Sequence, residues 1–166
     1  MDNKIEIVSL EEKPDYAPLC AHWSYTQWYR ERDIPFDLNL KAYQQRTIGT
    51  TIPTAYVATI DTLPVGMGSL KENDLWSRRD LNPWLASLYV MPEFRGMGIA
   101  GRLIDAIITK ARDLGFEKIF LFLGHNEEMD LARFYEMRGW RFHESTIDND
   151  GKETDIYFYG LNKSDR

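Results

Sequence analysis

The sequence predicts a mixed α/β sheet of about seven strands and four helices, in one domain that spans residues 1–166. Its length of 166 residues allows one sizeable core and leaves too little chain for two. Hydrophobic residues make up 43% of the chain, which argues against disorder. Strand-like segments follow one another early in the chain and alternate with helical segments later, an order typical of a mixed sheet.

Apolar alternation and turn residues predict the elements of the first half. Ile5 and Ile7 alternate with polar residues, as in a strand with one buried face. Pro14 opens an aromatic-rich segment that we expect to be helical, because proline is favoured in the first helical turn. Residues 61–63 separate two apolar runs and suit a hairpin turn, so these runs should be antiparallel neighbours. The predicted elements are a strand at 5–10, helices at 14–30 and 40–47, and strands at 54–60 and 64–70.

The second half alternates strands with helices. Ile99, Leu103, Ile107 and Leu114 recur at helical spacing, and Gly115 is a natural helix stop. This helix and the strands on either side of it should form one right-handed βαβ unit. The predicted elements are a polar loop at 71–82, strands at 84–90 and 118–123, helices at 99–114 and 129–138, and strands at 140–144 and 155–159.

Charge, cysteine count and hydropathy exclude several classes of function. The net charge of −6 and the lack of a Lys/Arg-rich run argue against nucleic acid as a partner and suit a cationic partner such as an amine. No apolar run approaches ~18 residues, so we expect neither export nor a membrane partner. The single cysteine, Cys20, predicts a reducing, cytoplasmic location. One cysteine and three scattered histidines predict no metal site.

A glycine-containing loop precedes the helix at 99–114 and predicts a phosphate-binding site. Gly96, Gly98 and Gly101 permit backbone conformations closed to other residues and let a ligand approach the main chain. The start of the helix presents unpaired N–H groups and the positive end of the helix dipole. Arg95 adds a fixed positive charge. Together these features predict a site for a phosphate or a pyrophosphate.

Two common nucleotide motifs match this loop poorly. Residues 96–101 formally match the dinucleotide fingerprint G-x-G-x-x-G. However, about ninety non-repeating residues precede the loop, and the following strand ends at Gly124 without the carboxylate that would hold a ribose. A Walker-type loop would need Lys-Ser or Lys-Thr after the glycines, and neither follows. A nucleotide-dependent oxidoreductase that uses this loop remains an alternative.

Two motifs lie about forty residues apart and are far more specific together than alone. The first is Leu88-Tyr89-Val90-Met91-Pro92-Glu93-Phe94-Arg95-Gly96-Met97-Gly98-Ile99-Ala100, and the second is Phe134-Tyr135-Glu136-Met137-Arg138-Gly139-Trp140. They resemble the GNAT superfamily of N-acetyltransferases, whose cofactor motif reads Q/R-x-x-G-x-G/A after a strand ending in Val-x-Pro. The family's later helix carries Tyr and ends before Gly-aromatic. The resemblance is clear over residues 84–142, and the N-terminal half agrees in element order.

The resemblance implies an acetyl-CoA site along the fourth strand and the glycine loop. The fourth and fifth strands would splay apart, and the pantetheine arm would bond main-chain groups of Leu88 and Val90. The N–H of Val90 would polarise the acetyl carbonyl. Asn126, at the end of the fifth strand, is a further candidate contact. The implied cofactor-binding residues are Leu88, Tyr89, Val90, Arg95, Gly96, Met97, Gly98, Ile99, Ala100, Gly101, Arg102, Asn126 and Tyr135.

Direct attack of a primary amine on the thioester is the expected mechanism. Cys20 is far in sequence from the loop, and no serine has a plausible His and Asp partner, so a covalent route lacks a nucleophile. The resemblance implies that Tyr135 acts as the general acid for the leaving thiolate. Glu72 is the first candidate for the base, because it follows the third strand, near where the family often keeps a carboxylate. Asp74, Asp80, His125 or water are the alternatives.

The sequence leaves the acceptor and the assembly open. The acceptor would be an amine on a small molecule or a peptide. The last strand, at 155–159, is apolar on both faces, so it would lie inside a sheet or pair across a homodimer, and we predict a homodimer. A non-catalytic module that binds and senses CoA is a second alternative to the enzyme.

Overall fold

The computed structural model describes residues 4–48, 51–125 and 129–162, which form seven strands and four α-helices. In chain order they are β1 (Ile5–Ser9), α1 (Ala17–Ser24), α2 (Phe36–Gln45), β2 (Thr54–Ile60), β3 (Leu63–Lys71), β4 (Trp84–Val90), α3 (Ile99–Asp113), β5 (Lys118–Gly124), α4 (Met129–Glu136), β6 (Arg141–Ile147) and β7 (Glu153–Gly160). The strand order is β1-β2-β3-β4-β5-β7-β6, which confirms the predicted mixed sheet. None of these helices is long and apolar enough to cross a bilayer.

The chain divides into two compact units. The first comprises Met1–Leu70 and Ser87–Ile107, and the second comprises Lys71–Ala86 and Ile108–Arg166. The division passes through β4 and α3, so each of these elements contributes residues to both units.

In the first unit, antiparallel strands carry helices on both faces. Asp61 and Thr62 form the β2–β3 turn with φ of 48° and 76°, the paired positive values of a tight hairpin, which confirms the predicted hairpin. One face packs buried Cys20, Tyr43, Val57 and Met67 with their neighbours. The other face packs a second set against the start of α3: Ala58, Ile60, Val65, Val90, Ile99 and Leu103.

In the second unit, β7 lies between β5 and β6 and pairs antiparallel with both. Phe120 lies opposite Phe158, and Arg141 pairs with Phe158 from the other side. Leu75, Trp84, Phe120 and Ile156 form the buried cluster on one face. Because β7 is paired on both sides within the chain, the predicted homodimer must use another surface. Light scattering at micromolar concentration tests that prediction.

Strands β4 and β5 pair in parallel over a very short distance. Among the described residues their register comprises one pair, Trp84 opposite Phe120, supported by a 3.0 Å hydrogen bond from the Phe120 amide to the Pro83 carbonyl. Four residues of β5 continue beyond Phe120, and within the described ranges they pair with β7 and with no other strand. The predicted splay between the fourth and fifth strands is confirmed by this register.

The helix boundaries differ from the prediction where local geometry overrides periodicity. The segment predicted as one helix at 14–30 is α-helical only over Ala17–Ser24, followed by a π turn at Tyr25–Tyr29 and a 3₁₀ turn at Arg30–Arg32. It stops at Asp33, whose φ of 56° is left-handed. Helix α2 begins at Phe36, earlier than predicted, because extended Pro35 occupies its N-cap position.

Candidate functional site

The glycine loop lies entirely in the first unit and connects β4 to α3. After a 3₁₀ turn at Pro92–Phe94, Arg95 is extended, and Gly96 and Gly98 have φ of 81° and 78°. Such values are costly for residues with a Cβ, so the backbone path itself requires glycine at both positions. Gly101 differs, because it is buried inside α3 and its φ is not positive. The predicted need for glycine's backbone freedom is therefore not found at this position.

The space in front of both loop glycines is open. Apart from its chain neighbours, a Cβ added at Gly96 or Gly98 would meet no atom of the described residues within 4 Å, whereas one added at Gly68 would lie 2.8 Å from Ile107 Cδ1. The first α3 hydrogen bond runs from the Arg102 amide to the Gly98 carbonyl at 3.3 Å, so the amides before Arg102 have no carbonyl within the helix. The loop therefore offers main-chain donors next to unfilled space, at the positive end of a helix dipole.

Arg95 is attached to the end of β4. Its Nε donates a 2.9 Å hydrogen bond to the carbonyl oxygen of Val90, and its guanidinium carbon lies 6.0 Å from the centre of the Tyr89 ring. Met97 beside it is exposed, whereas Ile99 is buried and anchors the start of α3. The arrangement fixes a positive charge at the loop while the loop backbone stays accessible.

The three candidate strand residues alternate between the faces of β4. Leu88 and Val90 pack on the side of α3, and Tyr89 packs on the opposite side, where its ring centre lies 5.5 Å from that of Trp23. Ser87, just before them, has φ of 54°, a rare value for a residue with a side chain. Sequence reasoning missed Ser87, because a serine within an apolar run looks like ordinary strand alternation.

Tyr135 lies in the second unit, near the end of α4, and is 4% exposed. Its ring contacts Phe134 at 5.2 Å and Trp140 at 5.7 Å, both edge to face. Gly139 has φ of 93°, and a Cβ there would lie 3.2 Å from the Tyr159 ring, so glycine is needed for the chain to turn into Trp140. The turn at Gly139 thus places Trp140 against the ring of Tyr135. Asn126 lies outside the described residues.

The carboxylates proposed as bases differ in their partners. Asp80 accepts two hydrogen bonds from Arg78, at 3.0 and 2.9 Å, and this pairing lowers the pKa of Asp80. Asp74 pairs with Lys71 at 3.2 Å. Glu72 is exposed and forms no hydrogen bond or ion pair with the described residues. Of the three, Glu72 is the carboxylate without a competing cation.

His125 joins the end of β5 to β7. Its Nε2 lies 2.6 Å from Asp155 and its Nδ1 lies 3.2 Å from Glu153, and Ser145 also donates to Asp155 at 2.6 Å. The hydrogen bond to Asp155 raises the pKa of His125, opposed by desolvation and reinforced by the charges of both carboxylates. A histidine that holds its proton to higher pH is a poor base near neutrality. No group of metal-binding side chains is present among residues 4–48, 51–125 and 129–162.

The contacts of His125 with Asp155 and Glu153 predict that the protein loses stability as pH rises. Because its folded-state pKa is raised, its contribution is complete below the ordinary value of 6.5 and is lost as pH rises through the folded-state pKa. His125→Asn should therefore destabilise the protein most at acidic pH and progressively less above neutrality, as measured by urea unfolding across pH.

His143 provides the matched control for that series. Burial lowers the pKa of His143, with the charges of Arg78 and Lys118 adding to the effect. Protonation of this residue opposes folding, so the stability of wild type relative to His143→Asn should fall as pH falls. If the stability of both variants relative to wild type changed with pH in the same way, the stabilising role assigned to protonated His125 would be contradicted.

Comparisons with known proteins identify one family for this chain. A family model described as the acetyltransferase (GNAT) family matches residues 17–140. No curated protein matches the chain in sequence. Among solved structures, a GNAT-family protein from Desulfovibrio desulfuricans has a TM-score of 0.74 at 15% identity, covering 96% of this chain and 100% of that chain.

Two further solved structures are similar over nearly their whole lengths. A Salmonella typhimurium protein, described as an acetyltransferase with its cofactor acetyl-CoA, has a TM-score of 0.72 at 14% identity, covering 97% of this chain and 96% of that chain. Arabidopsis thaliana Naa50 with the bisubstrate analogue CoA-Ac-MVNAL has a TM-score of 0.67 at 15% identity, covering 94% of this chain and 98% of that chain. At these identities the likeness concerns the fold. Since the family model matches well over half of the sequence, the chain belongs to the GNAT family of acetyltransferases.

Proposed function

We propose that residues 1–166 act as one domain that transfers an acetyl group from acetyl-CoA to a primary amine. The observation that carries the proposal is the pair of positive-φ glycines, open in front, at the N-terminus of α3. The family match, which extends across both units, supports a single functional domain. Neighbours of the same fold, solved with acetyl-CoA or with a CoA-peptide analogue, support the cosubstrate and the amine.

The cofactor would lie along β4 and the loop. The main-chain amides from Arg95 to Ala100 would hold the pyrophosphate, with Gly101 and Arg102 close behind. Leu88 and Val90 would bond the pantetheine arm through main-chain groups. The acetyl carbonyl oxygen needs a hydrogen-bond donor, so the amide of Val90 is the group we assign to it, while the Val90 carbonyl accepts from Arg95. Asn126 stays a predicted contact.

Thermal unfolding with added ligands separates this proposal from the oxidoreductase alternative. A ligand that binds only the native state raises the melting temperature, and the stabilisation grows with the logarithm of its concentration relative to its Kd. We expect acetyl-CoA to raise the melting temperature and NAD to leave it unchanged. Stabilisation by NAD alone would overturn the proposal.

Arg95→Ala should weaken acetyl-CoA binding without abolishing it. One charge-assisted hydrogen bond would be lost, at about 1–3 kcal/mol, or roughly 5- to 150-fold in Kd, while the loop amides would remain. Arg95→Lys keeps the charge and should lose less. Calorimetry on the three proteins measures both effects. Complete loss of binding in Arg95→Ala would mean that the guanidinium, rather than the amides, holds the phosphates.

The transfer itself needs a neutral amine, a polarised carbonyl and a protonated leaving group. The nitrogen lone pair would attack the thioester carbon, and the negative charge on oxygen would be stabilised by the Val90 amide. As the C–S bond breaks, Tyr135 would donate its proton to the sulfur. The base would take one proton from the attacking nitrogen, so the products are an acetylated amine and free CoA.

Glu72 is our proposed base, acting directly or through water. Its carboxylate has no cation partner among the described residues, in contrast to Asp80 and Asp74. Glu72→Gln should lower turnover at neutral pH by at least about 10-fold without changing acetyl-CoA affinity. Asp80→Asn is the control and should retain turnover. Normal turnover in Glu72→Gln would reject the assignment.

A further inference from the structure

Arg46 is a buried cation in the first unit without a counterion. It follows α2 and is 5% exposed. Its Nη1 donates to the Ser69 hydroxyl at 3.0 Å, and this is the one hydrogen bond of its side chain to the described residues. Nε is sealed from solvent and has no hydrogen-bond partner within the part of the chain that the structure describes. A buried charge in this state is costly unless a partner neutralises it.

A second orphan group lies beside the first. Tyr43 is fully buried, its ring centre lies 4.0 Å from the Arg46 guanidinium carbon, and its hydroxyl has no hydrogen-bond partner. Two other buried polar side chains of the same unit are paired: Asn39 donates to the Ala21 carbonyl at 2.6 Å, and Ser24 donates to Asn39 at 3.4 Å. Two unpaired donors side by side are therefore exceptional in this core.

No side chain described in this region neutralises Arg46. No carboxylate forms an ion pair with it among the residues that the structure describes. Cys20 is buried nearby, but burial raises the pKa of its thiol to about 12, so it stays neutral. A partner that neutralised Arg46 would be an acceptor that carries one negative charge.

The free edge of the guanidinium has the geometry that a carboxylate prefers. With Nη1 occupied by Ser69, the Nε–Nη2 edge remains, and its two parallel N–H groups match the two oxygens of a carboxylate. A single carboxylate balances the single charge, whereas a phosphate dianion would leave an excess negative charge in a buried site.

Space for the body of a small ligand exists next to this segment. A pocket of about 270 Å³ is lined by residues that precede and follow Arg46 in the chain, and Arg46, Tyr43 and Ser69 are not among its described lining residues. Its described lining is mixed apolar and polar: Gln45, Ile48, Thr51, Ile52 and Pro53. Because Nε is sealed, a carboxylate reaches it only when the local packing opens, which lowers the apparent affinity by the closed fraction.

We propose that Arg46, held at Nη1 by Ser69, forms with the hydroxyl of Tyr43 a binding site for the carboxylate of a small aliphatic acid. The proposal rests on no part of the acetyl-transfer mechanism. The carboxylate belongs either to a free acid or to an amine acceptor that also carries an acid group, and both present the same chemistry to Arg46.

Nuclear magnetic resonance of the Arg46 Nε–Hε group tests the proposal in the absence of acetyl-CoA. Butyrate, 4-aminobutyrate and the matched butyramide are titrated to tens of millimolar at constant ionic strength. We expect a saturable shift with the carboxylates and none with the amide, together with a rise in melting temperature. Arg46→Gln should lose that rise, and Arg79→Gln, which changes an exposed arginine, should keep it.

The titration of the wild-type protein tests carboxylate binding at Arg46 even if the Arg46→Gln variant does not fold. A response to 4-aminobutyrate alone assigns the carboxylate to the acceptor, and a response to butyrate as well assigns it to a separate acid; both support the site. An unmoved Nε–Hε resonance, or an equal response to chloride or phosphate, would overturn it.

Discussion

Replacing Gly98 by valine is expected to abolish acetyl-CoA binding while the chain remains folded. A Cβ at this position would meet no atom of the described residues within 4 Å apart from its chain neighbours, so the valine side chain would extend into the open space that we assign to the pyrophosphate. Losing several charge-assisted bonds to the loop amides, each worth about 1.5–3 kcal/mol, should weaken binding by at least about 100-fold. Calorimetry with acetyl-CoA measures the loss, and circular dichroism checks the fold.

Gly151→Val separates backbone strain from loss of the ligand site. Gly151 has φ of 79°, almost the same as the 78° of Gly98, and a Cβ there also meets nothing within 4 Å. Both variants should therefore lose a similar stability, roughly 1–3 kcal/mol. Only Gly98→Val should lose acetyl-CoA binding. Wild-type affinity in Gly98→Val would contradict the pyrophosphate site and the acetyl-transfer proposal with it.

Tyr135→Phe should reduce turnover by about 10- to 1000-fold with little change in acetyl-CoA affinity. Phenylalanine keeps the ring contacts with Phe134 and Trp140 and removes the hydroxyl proton that we assign to the leaving sulfur. Steady-state kinetics and calorimetry on the same preparation separate the two effects. Tyr159→Phe is the control, because its ring lies 5.7 Å from the same Trp140 and has no assigned proton. Unchanged turnover in Tyr135→Phe would remove the tyrosine from the mechanism.

The fold and the cofactor loop were predictable because their signals are local. Ile99, Leu103 and Ile107 carry the helical period of α3, and all three are buried in the structure. The turn at Asp61 and Thr62 follows from turn chemistry over adjacent residues. Gly96 and Gly98 are required by their own φ values, which is the property for which glycine is selected.

The surroundings of the candidate catalytic groups were less predictable because their partners are distant in sequence. Arg78 pairs with nearby Asp80 but also with Glu144, on a strand much later in the chain. His125 binds Asp155 across two strands. Such contacts depend on strand register, which no single-sequence pattern determines. The left-handed Ser87 and the uncompensated Arg46 likewise have no sequence signal, since each arises from tertiary packing.

The most direct test of the account is amine-dependent release of the CoA thiol. Purified protein is incubated with acetyl-CoA and a panel of polyamines, aminoglycosides, amino acids and peptides, and the released thiol and the mass of each amine are measured. We predict that at least one primary amine accelerates thiol release and gains the mass of one acetyl group in equal amount. If acetyl-CoA binds but no amine in the panel is acetylated, the chain is a CoA-binding module rather than an N-acetyltransferase.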